Sequence, residues 1–175
     1  EVLSNGACSL NAGEDKYALS AEITLDKSGN RKSTRIFKSI IKSTVRGVYS
    51  EVNDIFERGA ESEFAEKYVP VLPMLSNMRE LYEMLRRISE ERGSIELEDS
   101  EALIIVNESG DPVDIVRRER GDAERLIEQF MLQANMGVAE VMKSRALPCL
   151  YRVHDMPDSD KIKSFAVFVH NLGID

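Results

Sequence analysis

The sequence contains no tryptophan, few prolines and only two cysteines in 175 residues. Cys8 and Cys149 are too few and too far apart for a disulfide framework or a four-ligand zinc site, so we predict two reduced thiols. No apolar run approaches the roughly 20 residues that cross a bilayer. Residues 1–15 lack the basic start and apolar stretch of a signal peptide. These absences predict a cytoplasmic protein with no membrane partner.

The composition is that of a globular domain, with 42% hydrophobic and 31% charged residues. The formal net charge of −8 disfavours independent binding of nucleic acid, because it repels phosphates. The charge is uneven, however. Residues 27–50 contain cations and no carboxylate, so this stretch is either a solvated basic face or a region close to a polyanion. The cations are Lys27, Arg31, Lys32, Arg35, Lys38, Lys42 and Arg46.

Two pairs of strands are predicted. Residues 17–25 alternate apolar and polar, which is the period of a half-buried strand, and a turn follows at 27–30. Residues 35–43 are rich in β-branched side chains and fit a second strand that pairs back, although so short a run also fits a helix. Residues 102–106 and 113–116 flank a turn sequence and predict a β-hairpin.

Four helices are predicted from apolar spacing. They run from Tyr49 to Gly59, from Ser76 to Arg92, from Asp122 to Arg145 with Asp122 as its cap, and through the last apolar residues from Ile162 to Leu172. Residues 150–154 lie between two prolines and fit a short extended segment. Strand pairs mixed with helices predict an α+β fold.

The sequence offers little for catalysis. Hydrolysis of phosphodiesters with two Mg²⁺ ions needs clustered carboxylates, and no aspartate-rich motif of that kind occurs. The acidic run 96–101 fits a solvated strand edge. His154-Asp155 lacks the upstream histidine of metal phosphohydrolases, and neither a nucleophile elbow nor a glycine-rich phosphate loop is present. We therefore predict no catalytic residue and no metal ligand within this chain.

The helix that begins at Asp122 carries the most suggestive polar pair. At 100° per residue, Glu128 and Asn135 fall on one flank, seven positions apart, at the border of the apolar stripe. They either point into a ligand pocket or are solvated. The stripe predicted to be buried comprises Ile127, Phe130, Met131, Ala134, Val138, Val141 and Met142.

Several segments resemble the ribonuclease R and ribonuclease II family of 3′-to-5′ exoribonucleases. They are residues 3–11 (LSNGACSLN), 40–49 (IIKSTVRGVY), 90–95 (EERGSI), 122–135 (DAERLIEQFMLQAN) and 150–157 (LYRVHDMP). The resemblance covers essentially the whole chain in the right order. It implies that residues 1–175 are the central to C-terminal portion of one RNB catalytic domain.

The resemblance also implies function. Members of this family degrade single-stranded RNA processively to nucleoside 5′-monophosphates with Mg²⁺, and no DNA substrate is expected. Tyr49 is similar to a family tyrosine that lines the active site, and Glu128 to a glutamate that binds the terminal nucleotide. Leu97 stands where the family commonly has a base-clamping phenylalanine, and leucine lacks the π face for strong stacking. With Asn135, these are the candidate RNA-binding residues.

We expect that the sequence begins and ends inside a domain. The family's aspartate cluster should precede Glu1, and an active-site arginine of the family should follow Asp175. Taken alone, this polypeptide is therefore expected to be inactive. The alternative from another class is a noncatalytic RNA-binding or scaffolding domain that keeps the fold without the chemistry, because function resides in sites.

Overall fold

The computed structural model describes residues 2–94, 102–117 and 120–173. These residues form two antiparallel strand pairs and several helices, which confirms the α+β prediction. The strands are β1 (Asp15–Leu25), β2 (Arg31–Lys42), β3 (Ala102–Val106) and β4 (Pro112–Arg117), and the α-helices are α1 (Tyr49–Arg58), α2 (Ala65–Tyr68), α3 (Leu72–Glu91), α4 (Asp122–Ser144) and α5 (Ser159–Asn171). None of the helices in these ranges has the length and apolarity to span a membrane.

The β1–β2 hairpin closes on a turn organised by Asp26. Its carboxylate accepts hydrogen bonds from the backbone N–H groups of Ser28 and Asn30, each at 2.9 Å. The Lys32 ammonium, at 3.0 Å, and these hydrogen bonds lower the pKa of Asp26 to about 2. Gly29 has a φ of 75°, and side chains of α3 fill the space that a Cβ there would need. The tip of the β1–β2 hairpin therefore packs against α3.

The main apolar core lies where α1, α2 and α3 meet the start of α4. Tyr68 of α2 is almost completely buried, at 1% exposure, and Leu85 of α3 and Leu126 of α4 are each 2% exposed. The core cluster that contains Tyr68 also includes Val52, Ile55, Leu75 and Ala123. The helix predicted from Tyr49 to Gly59 is confirmed as α1, whereas α3 begins at Leu72, before the predicted Ser76.

The start of α4 is capped by another helix. Asn53 of α1 accepts a hydrogen bond from the Ala123 N–H at 2.8 Å and donates one to Glu124 at 2.9 Å. Glu124 in turn accepts from the Gly121 N–H at 3.1 Å. The predicted cap at Asp122 is wrong, because Asp122 is already inside the helix and lies 3.8 Å from Arg79. The Ala123 N–H at the helix start is thus satisfied by a tertiary contact, and the Gly121 N–H is satisfied by Glu124 of the same helix.

We expect the Asn53→Ala variant to lose about 1–2 kcal/mol of unfolding free energy, the usual cost of removing a helix cap. Chemical denaturation followed by circular dichroism measures this loss. Asn77→Ala removes an exposed amide within α3 and serves as the matched control, with an expected change within about 0.5 kcal/mol. Equal effects of the two substitutions would contradict the capping role.

The predicted buried stripe of α4 is displaced around the helix. Ala123, Leu126 and Gly137 are its buried residues, whereas Met131 is 60% exposed. A Cβ at Gly137 would come within 3.1 Å of the Thr34 side chain and 3.5 Å of Ile23. The helix approaches the β1–β2 hairpin most closely at a residue without a side chain. Apolar spacing therefore misplaced the packed face.

The prediction that β1 is half-buried through its apolar face is wrong at one end. Ile23 and Leu25 are partly covered, but Tyr17 is 90% exposed and Leu19 is 74% exposed. The reason is that α4 reaches the hairpin near Ile23 and leaves the other end open. In β3 and β4 every residue is exposed, and α5 has no buried residue.

Two further expectations concern local structure. The hairpin of β3 and β4 is confirmed, with Asn107 accepting hydrogen bonds in its turn from Ser109 and Asp111. Residues 147–158 are neither helix nor strand, and the extended backbone predicted at 150–154 stays a prediction.

Candidate functional site

A cavity of about 480 Å³ lies between the start of α1 and one face of α4. It holds three of the predicted site residues, Tyr49, Glu128 and Asn135, which lie far apart in sequence. Arg120, just before α4, also lines it. The remaining lining residues are Glu124, Ile127, Met131 and Leu132.

The α4 contribution to the cavity follows from helical geometry. Residues spaced by three or four positions share one face of a helix, and the α4 residues that line the cavity have this spacing from Glu124 to Asn135. This face is distinct from the buried one that carries Leu126 and Gly137. The residues predicted as core at Ile127 and Met131 are instead walls of the cavity.

Tyr49 reaches the cavity from the first turn of α1, where its side chain is 44% exposed. Its position is fixed by the neighbouring Val48, whose N–H donates to the Tyr68 hydroxyl at 3.0 Å. That hydroxyl donates to Glu51 at 2.6 Å. A buried tyrosine of α2 therefore holds the residue that precedes the cavity tyrosine.

The same contacts perturb ionisation near the start of α1. The Lys67 ammonium and the Tyr68 hydroxyl bind Glu51 and hold the pKa of its carboxyl below the usual range. Burial, with the Glu51 hydrogen bond, raises the pKa of Tyr68. At neutral pH, Glu51 is therefore an ionised acceptor and Tyr68 is a neutral donor, which is the pairing that the hydrogen bonds require.

Glu128 is paired but accessible. Arg120 Nη2 lies 2.8 Å from Glu128 Oε2, and each side chain retains about half of its exposure, at 49% for Arg120 and 51% for Glu128. The pair also borders an adjoining cavity of about 240 Å³ that includes Tyr82, Arg86 and Gln129. A carboxylate can accept several hydrogen bonds, so Glu128 can bind hydroxyl groups while it stays paired with Arg120.

Arg120 was not predicted from the sequence. It lies outside any periodic segment, and the only signal in the sequence was its place just before a helix start, which many arginines share. Only the fold brings it to Glu128. The candidate Leu97 and the acidic run 96–101 lie outside the described residues.

The residues do not fit a magnesium centre. In the described ranges, no group of three histidine, cysteine, aspartate or glutamate side chains could hold a metal ion. In the first cavity the only carboxylates are Glu124 and Glu128, and each is already engaged, by Asn53 and Arg120 respectively. The polar side chains of this cavity are suited to contacts with a polar ligand.

The cavity combines an aromatic ring, apolar walls and a carboxylate paired with arginine, a lining that is compatible with a small polar unit with an aromatic part. A family model described as the RNB domain matches residues 1–174. The chain belongs to the RNB domain family.

Two similar curated proteins are named Ribonuclease R or Ribonuclease R 2. The chain is 39% identical over 173 residues to Ribonuclease R of Thermotoga maritima, covering 98% of this chain and 24% of that protein. It is 42% identical over 166 residues to Ribonuclease R 2 of Lactococcus lactis, covering 94% of this chain and 24% of that protein. It thus spans about a quarter of the length of the curated relatives it matches.

A solved structure with the same name also has a fold similar to that of this chain. Mycoplasma genitalium RNase R in complex with ribose methylated single-stranded RNA superposes with a TM-score of 0.88 at 31% identity. The match covers 99% of this chain and 26% of that one. The fold and the family membership of this chain are therefore consistent.

Proposed function

We propose that this chain forms part of a processive 3′-to-5′ exoribonuclease that hydrolyses single-stranded RNA to nucleoside 5′-monophosphates. Within that enzyme, it supplies part of the cradle for the terminal nucleotide. The observation that carries the proposal is the convergence of Tyr49, Glu128 and Asn135 on one cavity. Relatives named Ribonuclease R and a neighbour bound to single-stranded RNA support it.

The cavity suggests a role for each residue. The Tyr49 ring offers a face on which a base stacks, and stacking tolerates every base because each has a π face. Glu128 accepts hydrogen bonds from the ribose hydroxyls, and the 2′-hydroxyl distinguishes RNA from DNA. Asn135 offers an amide to the same unit, and Arg120 holds the Glu128 carboxylate in place.

The Mg²⁺ that the family implies belongs to the proposed enzyme, and when bound it would supply electrophilic activation of the scissile phosphate. The described residues of this chain do not form its site. The proposed role of these residues is to bind and orient RNA. A cytoplasmic location, predicted from the composition, is part of the same proposal.

The ribose role of Glu128 predicts a loss of sugar discrimination. The chain should bind a fluorescent single-stranded oligoribonucleotide about tenfold more tightly than the same oligomer with a 3′-terminal 2′-deoxyribose, because a hydrogen bond to a charged acceptor is lost. In Glu128→Ala this ratio should fall to about one. Fluorescence anisotropy with both oligomers measures it.

Glu80→Ala is the matched control, because it removes an exposed carboxylate from α3 at a residue that lines neither cavity. Its ratio should equal that of the wild-type chain. If Glu128→Ala keeps the wild-type ratio, Glu128 is only solvated. If the chain discriminates but Glu128→Ala and Glu80→Ala strengthen binding equally and keep the wild-type ratio, the effect is one of net charge, because each variant removes one carboxylate that repels phosphates.

A further inference from the structure

A second polar cavity lies beside the connection between β2 and α1. Its volume is about 480 Å³, and it is separate in its lining from the cavity that holds Glu128. It is lined by Asn5, Ser9, Leu10, Asn11, Ala12 and Arg46. The lining contains one cation, no carboxylate and several hydrogen-bonding side chains, which is the composition of an anion site.

Backbone pairing assembles this cavity from two distant parts of the sequence. Ala12 forms a bridge with Ser43, and the Gly13 N–H donates to the Ser43 carbonyl at 2.8 Å. Lys16 anchors the preceding turn by donating to the Gly6 carbonyl at 3.2 Å. Residues 5–12 are thereby held against the segment that carries Arg46.

Hydrogen bonds within the lining hold some of its polar side chains in place and leave other side chains without a partner from the described segments. Ser9 donates to the Asn11 side-chain oxygen at 2.9 Å, and the Asn11 amide donates to the Asn5 carbonyl at 3.3 Å. The Asn5 side chain forms no hydrogen bond, and Arg46 forms neither a hydrogen bond nor an ion pair, within the part of the chain that the structure describes. Both are available to a ligand.

Arg46 differs in this respect from the other two arginines of its stretch. Arg31 pairs with Glu140 at 2.7 Å, and Arg35 pairs with Glu22 at 2.8 Å. The positive charge of Arg46 helps to lower the pKa of the Glu51 carboxyl. Glu51, however, is hydrogen-bonded to Lys67 and Tyr68. The charge of Arg46 is therefore not neutralised by a direct partner in these residues.

We propose that Arg46, with the side-chain amide of Asn5, binds a phosphodiester group of single-stranded RNA. Arg46 precedes Tyr49 by three residues, so their Cα atoms are at most about 11 Å apart. A strand whose terminal nucleotide occupies the Tyr49 cavity can thus place a nearby phosphate at Arg46. This inference rests on the proposed RNA-binding function and adds a backbone contact to it.

The test is the salt dependence of RNA binding by the chain. For a single strand, the slope of log affinity against log salt changes by about 0.7 for each phosphate contact. Arg46→Gln should lower the slope by about that amount and weaken binding about tenfold at low salt. Arg87→Gln, which removes the same charge from an exposed site on α3 outside both cavities, should leave the slope unchanged.

Three results separate the two proposals. Equal slopes for Arg46→Gln and the wild-type chain, with Tyr49→Ala still weakening binding, would overturn the phosphate site and leave the proposed function standing. Equal losses in Arg46→Gln and Arg87→Gln would also overturn the site. No detectable binding of RNA by the wild-type chain would overturn both. Circular dichroism spectra that match the wild-type spectrum show that each variant is folded.

Discussion

The purified 175-residue chain should release no nucleoside 5′-monophosphate above background from single-stranded RNA in the presence of Mg²⁺. Two-metal hydrolysis needs inward-facing carboxylates, and the described residues do not gather three ligand side chains. Because enzymes commonly accelerate reactions by about a million-fold or more, the difference from an active enzyme should be unmistakable. Incubation with 3′-labelled RNA and separation of the products measures it.

The complete product of the gene is the control for this prediction. If it carries clustered aspartates, it should release monophosphates under the same conditions. Release by the 175-residue chain itself would contradict our assignment of this chain to binding rather than hydrolysis. An inactive complete product that still binds RNA would favour the noncatalytic alternative.

Removing the Tyr68 side chain should cause the largest loss of stability. Tyr68 is 1% exposed and belongs to the core cluster, so Tyr68→Ala should cost about 3–5 kcal/mol, as for other buried aromatic residues. Such a loss is a large part of the 5–15 kcal/mol that stabilises a typical domain. Urea denaturation followed by circular dichroism measures the change in unfolding free energy.

Tyr68→Phe isolates the hydroxyl group. It leaves the Val48 N–H without its acceptor and removes one of the two donors to Glu51, the other being Lys67, so we expect a cost of about 1–3 kcal/mol. Since Val48 precedes Tyr49, RNA binding should weaken in this variant under conditions where it remains folded. A stability equal to wild type would show that the hydroxyl contacts contribute nothing. Unchanged RNA affinity would show that Tyr68 does not position Tyr49.

The candidate site was predictable in part. Resemblance to the family selected Tyr49 and Glu128, and helical geometry placed Asn135 on the flank of Glu128. The structure brings all three to one cavity, while their role in RNA binding stays a prediction. Arg120 could not be found in this way, because its proximity to Glu128 depends on how the chain enters α4.

The basic stretch shows why charge patterns alone are ambiguous. Its cations appear equivalent in the sequence, yet Arg31 is 12% exposed and pairs with Glu140 of α4, whereas Arg46 lines a cavity without an ion pair among the described residues. Whether a cation is structural or available is decided by which helix packs against its strand. That information is absent from the linear pattern.

The sequence by itself determined the α+β class, the β3–β4 pairing and most helices, because alternation and helical spacing are local properties of the chain. It left residues 35–43 open between a strand and a helix, and the structure has them within β2. Only the tertiary structure decided which faces are covered. In α4 the packed face lies at Gly137 while Met131 lines the cavity, and Asn53 of α1, not Asp122, caps the helix. Packing depends on surfaces that come from distant residues, and these surfaces exist only once the chain has folded.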